Sequence, residues 1–335
     1  MNLIRSIKGR SAWVFSCLLL VTFCSIVSAI TFGPAQITSI DIVQCVISEC
    51  ATPMHDMVIW QIRIPRVLVG LVAGMGLACA GAILQNVTRN PLADPYLFGI
   101  ISGAGLGATI ATLVLSDEQM LALPLAAFLG ALFSVVIVFG IATLLRNMNH
   151  LLLTGVAVSF MLGSISHFIL YLGDPFATNR VIFWLMGSLT RVEMFHFYLI
   201  SAMVLITLVT IFALHRHIDA LLLGDESAAS LGVNVDKLRL ILLALCAAVT
   251  ATIVAYCGGI GFVGLMIPHI VRQLVGVTTM PLILGSALVG GCFLIWVDVI
   301  ARSALSNVEI PIGIITSAIG SIFFLAIMYR TRKSG

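Results

Sequence analysis

The chain has 335 residues, of which 60% are hydrophobic and only 9% are charged, and its mean hydropathy is +1.16. A soluble domain carries about 25% charged residues, so this composition excludes an ordinary water-soluble protein and indicates a surface covered by lipid. The net charge of +3 is small. No basic cluster with interleaved aromatic residues occurs, which argues against nucleic acid as a partner.

The apolar residues come in blocks of about 18–25, the length of a helix that crosses a hydrocarbon core of about 30 Å. Lipid admits only helices and closed barrels, and blocks of this length exclude the strands of a barrel. The sequence therefore predicts an all-α polytopic membrane protein, with one transmembrane domain over residues 1–335. In chain order, the ten predicted spans are residues 12–32, 65–87, 93–115, 122–145, 151–172, 194–214, 238–257, 260–276, 280–301 and 311–329.

The first span has the outline of a signal peptide, because three basic residues at 5–10 precede it and Val27-Ser28-Ala29 has the form of a cleavage site. It is long enough to span and further spans follow, so we predict an uncleaved first helix. Cys45 and Cys50 lie in the loop after it, and the sequence leaves a disulfide between them open. No Cys or Cys/His pattern has metal-ligand spacing, so neither a metal nor a cofactor is expected.

Lysine and arginine residues predict the orientation, because they are enriched in cytoplasmic loops. With the N-terminus inside, 12 of the 17 lie in inner loops and 5 lie outside. This distribution predicts both termini in the cytoplasm and an even number of spans.

Three of the outer arginines have two possible explanations. Arg63 and Arg66 flank Pro65 at the start of the second span, and Arg302 closes the ninth. Arginines at helix ends snorkel to the interface, and proline suits a first helical turn. Alternatively, these arginines dock an acidic partner outside the membrane, and the residues alone leave both explanations open. Asp298 lies one turn before Arg302, so we expect these two to form an ion pair.

Glycines interrupt the apolar pattern in Gly258-Gly259-x-Gly261-x-x-Gly264. Broken helices at membrane depth are tolerated where they are buried or line a water-filled path. A weak inverted repeat is also present, because helices opened by residues 63–66 and 237–239 start on opposite sides of the membrane. We therefore predict repeat halves at roughly 63–172 and 237–329.

The longest polar interruption, residues 215–239, is predicted to be a cytoplasmic loop. Its segment 223–232 is too polar and too short to span, and the glycine at each end predicts a short surface helix. Asp225 and Glu226 near its start suit the helix dipole. The segment is either a connector or a surface that a partner protein grips.

Several chemistries are missing from the sequence. No Walker A pattern for ATP phosphates occurs, and no H-E-x-x-H, G-x-S-x-G or EF-hand pattern occurs either. The chain is therefore not expected to be an enzyme. An ion-coupled secondary transporter needs a coupling-ion site, and the scarcity of carboxylates inside the spans argues against that class.

Five motifs follow one another along essentially the whole chain. They are Trp60-Gln-Ile-Arg63-Ile-Pro-Arg66; Arg89-Asn-Pro-Leu-Ala-Asp-Pro95; Leu223-Gly-Asp-Glu-Ser-Ala-Ala-Ser-Leu-Gly-Val233; Gly261-Phe-Val-Gly-Leu-Met-Ile-Pro-His269-Ile-Val-Arg272; and Asp298-Val-Ile-Ala-Arg302 with Glu309-Ile-Pro-Ile-Gly313. In this order and spacing they closely resemble the permeases of bacterial binding-protein-dependent ABC importers for ferric siderophores, haem and vitamin B12. The resemblance implies the fold of a type II importer, similar to the vitamin B12 permease.

The resemblance also implies partners and residue roles. A ten-helix subunit in the inner membrane is expected to pair as a homodimer or close heterodimer, with separate ATPase subunits in the cytoplasm and a periplasmic solute-binding protein outside. Arg63, Arg66 and Arg302 match arginines that receive acidic residues of the binding protein, and Asn90 beside Pro91 matches a cytoplasmic gate. The residues that match the helix coupled to the ATPase are Gly224, Asp225, Glu226, Ala228, Leu231 and Gly232.

The sequence does not name the solute. The segments Asn90–Tyr96 and Phe183–Gly187 look more like the iron-chelate branch than the cobalamin branch. A ferric siderophore is therefore expected first, haem second and cobalamin third, and an ion-coupled secondary transporter is the alternative from another class.

Overall fold

A computed structural model describes residues 2–33, 37–48, 50, 52–114, 122–144, 149–305 and 308–333, and every regular element in these ranges is a helix. A π-helix (Met57–Arg63) joins α3 to α4, and a short 3-10 helix (Pro95–Phe98) precedes α5. In chain order the α-helices are α1 (Asn2–Thr31), α2 (Ser39–Ile47), α3 (Pro53–Asp56), α4 (Ile64–Thr88), α5 (Ile100–Val114), α6 (Ala122–Leu144), α7 (Asn149–Leu172), α8 (Pro175–Leu185), α9 (Met194–Leu221), α10 (Asp225–Ser230), α11 (Val235–Cys257), α12 (Val263–Val275), α13 (Thr279–Ser303) and α14 (Ile312–Lys333).

The predicted all-α membrane fold is confirmed. Within the described ranges, eight helical stretches are long and apolar enough to cross a membrane. The third and eighth predicted spans correspond to the two shorter apolar helices, α5 and α12. The predicted span ends at residues 115 and 145 lie outside the described residues, and the predicted repeat halves stay a prediction.

The second span starts earlier than the sequence predicts. A continuous helical stretch of 36 residues runs from Pro53 to Thr88. Pro65, which the sequence places at the start of the span, lies inside this stretch, where the π-helix gives way to α4. Because proline removes one helical hydrogen bond, the change in helical pitch falls at a position where a regular α-helix is already disturbed.

The structure contains short helices that the hydropathy pattern does not predict. The segment between α1 and the second span holds α2 and α3, and a disulfide between Cys45 and Cys50 closes the loop that joins them. Between the fifth and sixth spans lies α8, whose start is capped by the side chain of Asp174. This helix packs against α5, so a segment expected to be a loop is part of the bundle.

The centre of the bundle is α4, which is buried along most of its length and packs against α9, α11, α12 and α13. Small residues allow this packing. A methyl group added at Gly74 would overlap the carbonyl oxygen of Gly290 on α13, and one at Gly81 would overlap that of Gly264 on α12. Close backbone approach at small residues is a typical way for helices to associate in lipid, where no hydrophobic effect drives them together.

The glycine-rich break between α11 and α12 is buried, as one of the two predicted explanations requires. The N–H of Gly259 donates to the carbonyl of Leu185 at the end of α8 (3.3 Å), and the N–H of Gly313 donates to the carbonyl of Met186 (3.0 Å). These bonds satisfy backbone groups that a regular helix would otherwise pair. The end of α8 therefore joins the break to the start of α14.

The polar segment after α9 is more helical than predicted. The sixth span continues to Leu221 and α11 begins at Val235, which leaves a shorter connection that contains α10. Near the end of α9, Asp219 accepts from the backbone N–H (2.8 Å) and the hydroxyl (2.6 Å) of Thr279. This contact holds the last turn of α9 to the start of α13.

Candidate functional site

Charged side chains gather at the two ends of α4, which lie about 37 Å apart for a helix of this length. We call the end that contains Arg66 and Arg302 the arginine face, and the opposite end, where Arg89 meets α10, the α10 face. The candidate functional residues from the sequence fall on one or the other.

On the arginine face, all three guanidinium nitrogens of Arg66 are engaged. Its Nε donates to Asp298 at 2.8 Å, and its two terminal nitrogens donate to the two oxygens of Glu309 at 3.0 and 2.7 Å. The predicted pair between Asp298 and Arg302 is present but longer, at 3.5 Å. Arg66 is therefore the main partner of Asp298, and it joins α4 to α13 and to the segment before α14.

The other two arginines of this face, Arg63 and Arg302, cap the C-terminal end of α1. Because α1 ends at Thr31, the carbonyls of residues 28–31 have no helical donor. Arg63 donates to the carbonyls of Ile30 and Thr31, at 2.9 and 3.3 Å. Arg302 donates to the carbonyl of Ala29 at 2.8 Å. The hydroxyl of Thr31 donates to the carbonyl of Ser28 at 2.7 Å. Cations at this end also interact favourably with the helix dipole.

The three arginines are consequently interior residues in this subunit. Arg63 is 3% exposed, and Arg66 and Arg302 are 5% exposed. The snorkelling explanation does not describe them, since their side chains turn inward to carboxylates and carbonyls. Their docking role stays a prediction.

On the α10 face, Asp225 connects three elements. It is the first residue of α10, and it accepts two hydrogen bonds from Arg239 on α11, at 2.9 and 2.8 Å. It also accepts one from Arg89, the residue directly after α4, at 2.9 Å. The hydrogen bonds from Arg239, together with both positive charges, hold the pKa of Asp225 below its ordinary value.

The predicted short helix between the two glycines is confirmed. Its flanking residues Gly224 and Gly232 have positive φ angles of 110° and 84°, which favour glycine. Ala228 is fully buried, whereas Leu223 and Leu231 on either side of the helix are 68% and 66% exposed. The helix is therefore anchored at its start and has an exposed apolar side chain beyond each end.

Asn90 and Pro91 lie in the turn directly after α4. The side-chain oxygen of Asn90 accepts from the N–H of Leu92 at 2.9 Å, which stabilises the turn. Arg89, just before them, has a left-handed φ of 51°, an uncommon conformation for a residue other than glycine. The gate role of Asn90 and Pro91 stays a prediction, but the turn and α10 are joined through Arg89 and Asp225.

A cavity of about 520 Å³ lies on the arginine face, between the ends of α6, α8, α9 and α11 and the segment before α14. Sequence reasoning missed it, because its walls come from segments far apart in the chain. Its aromatic lining residues are Phe183, Trp184 and Tyr256. Its charged and polar lining residues are Arg180, Ser188, Thr190, Arg191, His196 and Glu309. Among the described residues, no group of three His, Cys, Asp or Glu side chains is arranged to hold a metal ion.

Comparison with known proteins gives consistent matches. The family model described as the FecCD transport family matches residues 18–330. A cobalamin import system permease protein, BtuC, of Halobacterium salinarum is 39% identical over 277 residues, which cover 82% of this chain and 73% of that protein. A hemin transport system permease protein, HmuU, of Yersinia pestis is 38% identical over 284 residues, covering 82% and 84%.

One solved structure matches over nearly the whole chain. It is described as an inward-facing conformation of a metal-chelate type ABC transporter, and its TM-score is 0.85 at 30% sequence identity. The match covers 95% of this chain and 99% of that one.

Proposed function

This chain belongs to the FecCD transport family, and from this premise we propose that it is the transmembrane permease subunit of an ATP-driven importer that moves an iron complex from the periplasm to the cytoplasm. ATP hydrolysis is assigned to a separate ATPase chain, because this sequence has no Walker A pattern. The proposed location of the protein is the bacterial inner membrane, with both termini in the cytoplasm.

The observation that carries this proposal is the construction of α10. Its start is held by ion pairs to two other helices, and Ala228 fixes its inner side. Leu223 and Leu231 are left exposed next to charged and polar residues. Exposed apolar side chains at both ends of an anchored helix favour a protein interface, and we propose the ATPase as the partner.

Coupling then follows from the contacts of Asp225. When ATP binding closes the ATPases, α10 moves, and the ion pair between Asp225 and Arg89 carries this movement to the turn at Asn90 and Pro91. We propose that this turn belongs to the cytoplasmic gate. Both side chains of this pair are partly exposed, so the pair itself contributes only about 0–1 kcal/mol, and it can form and break during the transport cycle.

The arginine face is the proposed docking site of a periplasmic solute-binding protein. Arg63, Arg66 and Arg302 carry three positive charges, whereas Asp298 and Glu309 supply two negative ones. The remaining positive charge attracts acidic residues of a partner, even though the arginines themselves are buried. A second permease subunit, identical or closely related, completes the proposed translocation path.

For the solute, we propose a ferric siderophore first, haem second and cobalamin third. The relatives described above are named for cobalamin and hemin, and the similar structure for metal chelates. An ion-coupled secondary transporter is the alternative from another class.

The decisive experiment is uptake into proteoliposomes that contain this chain, its ATPase and its binding protein, with and without internal ATP. Radiolabelled ferric siderophore, haem and cobalamin are offered in parallel. We expect ATP-dependent entry of the ferric siderophore. Entry that ignores ATP but follows a proton gradient would establish the secondary transporter instead, and ATP-driven entry of cobalamin alone would rule out the iron complex.

A further inference from the structure

A side chain from the segment after α4 reaches the glycine-rich break between α11 and α12. The hydroxyl oxygen of Tyr96 accepts from the backbone N–H of Ile260 at 3.3 Å. Ile260 is fully buried and lies in the break, outside both helices, so its N–H needs an acceptor from another part of the chain. Tyr96 therefore supplies a hydrogen bond that a continuous helix would otherwise provide.

The backbone that carries Tyr96 is held in place at both ends. Tyr96 belongs to the short 3-10 helix, and Oδ1 of Asp94 caps the start of that helix by accepting from the N–H of Tyr96 at 2.8 Å. At the other end, the hydroxyl of Ser134 on α6 donates to the carbonyl of Phe98 at 3.0 Å. The phenol ring therefore projects from a fixed base toward the break.

The same base follows directly on the turn that Arg89 joins to α10. Arg89 pairs with Asp225 at 2.9 Å. Within the turn, the carbonyl of Asn90 accepts from the N–H of Ala93 at 3.1 Å, and Asp94 is the next residue. A movement of α10 that pulls on Arg89 is thus carried through a hydrogen-bonded turn to the cap of the 3-10 helix.

On its other side, the break is bonded to the wall of the cavity on the arginine face. The N–H of Gly259 donates to the carbonyl of Leu185 (3.3 Å), and the N–H of Ser188 donates to the carbonyl of Cys257 (2.9 Å). Ser188 lines the cavity, and so does Trp184, the residue before Leu185. A shift of the break therefore moves residues of the cavity wall.

We propose that Tyr96 is a positioning residue that couples the α10 face to the cavity on the arginine face. The proposal rests on the permease function proposed above. When the turn after α4 moves with α10, the hydroxyl of Tyr96 shifts the break through Ile260, and the cavity changes shape. By linkage, a solute in the cavity then changes the affinity of the ATPase for ATP. The ring of Tyr96 also packs against the core, but phenylalanine would serve that packing role equally well.

The test uses the complete permease–ATPase complex in lipid nanodiscs and a saturating non-hydrolysable ATP analogue. The readout is the fluorescence of Trp184 in the cavity wall. Because the chain has four tryptophans, the Trp184 signal is obtained by subtracting the emission of the same complex with Trp184→Phe. We expect the analogue to change this signal, and Tyr96→Phe to reduce the change by about twofold or more, as for single residues that carry coupling.

Tyr171→Phe removes the same hydroxyl from a side chain that is 85% exposed, and it is the matched control. Asp94 gives a second test in which the hydroxyl of Tyr96 stays in place. Asp94→Ala removes the cap of the 3-10 helix and is expected to reduce the response, whereas Asp94→Asn keeps an acceptor oxygen and retains it. The inference is overturned if Tyr96→Phe responds like Tyr171→Phe, or if the unaltered complex shows no response.

Uptake is scored separately, in proteoliposomes that also contain the binding protein, with radiolabelled ferric siderophore, haem and cobalamin. We expect Tyr96→Phe to lower the number of solute molecules imported per ATP hydrolysed by about twofold or more. An unchanged ratio contradicts the coupling role and spares the permease function. A Trp184 response that depends on Tyr96, without ATP-driven uptake of any of the three solutes, supports the connection and contradicts the importer.

Discussion

The carboxylate of Asp298 is 1% exposed and lies between Arg66 and Arg302. Charges at this depth are stable only because they compensate one another, and the loss of one partner leaves an unpaired charge away from water. Glu309 holds the other side of Arg66, but about a third of its side chain is exposed. The two carboxylates therefore differ in how much the fold depends on them.

Asp298→Asn is expected to destabilise the permease by about 3–5 kcal/mol, because two buried arginines lose their shared counter-charge. Glu309→Gln is expected to cost only about 1 kcal/mol, since water replaces part of the lost interaction. The measurement is the free energy of unfolding in mixed micelles titrated with a denaturing detergent. Similar losses for the two variants would contradict the dominant role of Asp298.

At this scale the sequence predicts contacts only between near neighbours. The spacing of Asp298 and Arg302 is enough to expect their pair, which is confirmed at 3.5 Å. The closer partner, Arg66, lies 232 residues away, and one sequence contains no signal for that contact. The capping of α1 by Arg63 and Arg302 is hidden for the same reason.

At the scale of helices, packing around α4 depends on backbone approach at glycines. Gly81→Ala is expected to destabilise by about 1–3 kcal/mol, because the new methyl group overlaps the carbonyl of Gly264 and must push α12 away. Gly140→Ala is the matched control, because no neighbouring atom lies within 4 Å of its added methyl group. It is expected to be neutral or to stabilise by up to about 1 kcal/mol through helix propensity. Thermal unfolding of both variants checks the prediction, and equal losses would refute it.

The ion pairs that Asp225 makes at the start of α10 give a second prediction at the scale of helices. Asp225→Asn is expected to lower the number of solute molecules imported per ATP hydrolysed, because α10 loses its charged connection to Arg89. Asp236→Asn removes an exposed carboxylate from the first turn of α11, outside the residues assigned to coupling, and is the control. Both ratios are measured in proteoliposomes, and an equal fall in the two would show that Asp225 has no special part in coupling.

The effect of pH on this junction follows from the lowered pKa of Asp225. A carboxylate whose pKa is lower in the folded state adds stability that is complete above its unfolded value of about 3.9. That stability is lost as the pH falls through the lower folded value. The free energy of unfolding is measured for Asp225→Asn and for the unaltered protein. The difference between the two values is expected to stay constant from about pH 8 to pH 5. A difference that disappears near neutral pH would contradict the pairing.

Hydropathy predicts the long helices well and the short ones poorly. The apolar blocks locate the spans because lipid requires about 20 apolar residues from each. By contrast, α8 has 11 residues and carries polar side chains, so it reads as a loop until its packing against α5 is known. The π-helix before Pro65 depends on backbone adjustment, which composition does not encode.

At the scale of the whole molecule, the two faces are chemically distinct, and their orientation can be tested directly. Leu305 follows α13 on the arginine face and Leu223 precedes α10, and both are exposed. In a cysteine-free background, Leu305→Cys is expected to react with a membrane-impermeant maleimide in intact spheroplasts. Leu223→Cys is expected to react only after the membrane is opened. The reverse pattern would invert the predicted topology.

The family resemblance predicted the architecture because five motifs recur in a fixed order along the chain, and that assignment is confirmed by a match to residues 18–330. The solute is a different matter. The cavity on the arginine face could not be predicted from the sequence either, because it is lined by Arg180, Tyr256 and Glu309 among others, which lie on separate segments. Only the folded arrangement brings them to one wall.

The capping of α1 also has a consequence for how the protein is made. The carbonyl of Ala29 receives its donor from Arg302, 273 residues later in the chain. At a synthesis rate of about 5–20 residues per second, that interval lasts about 14–55 s. During this time Arg63 can already cap the carbonyls of Ile30 and Thr31, but the carbonyl of Ala29 needs another donor from the insertion machinery or the lipid headgroups. The arginine face is completed only after the ninth span is made.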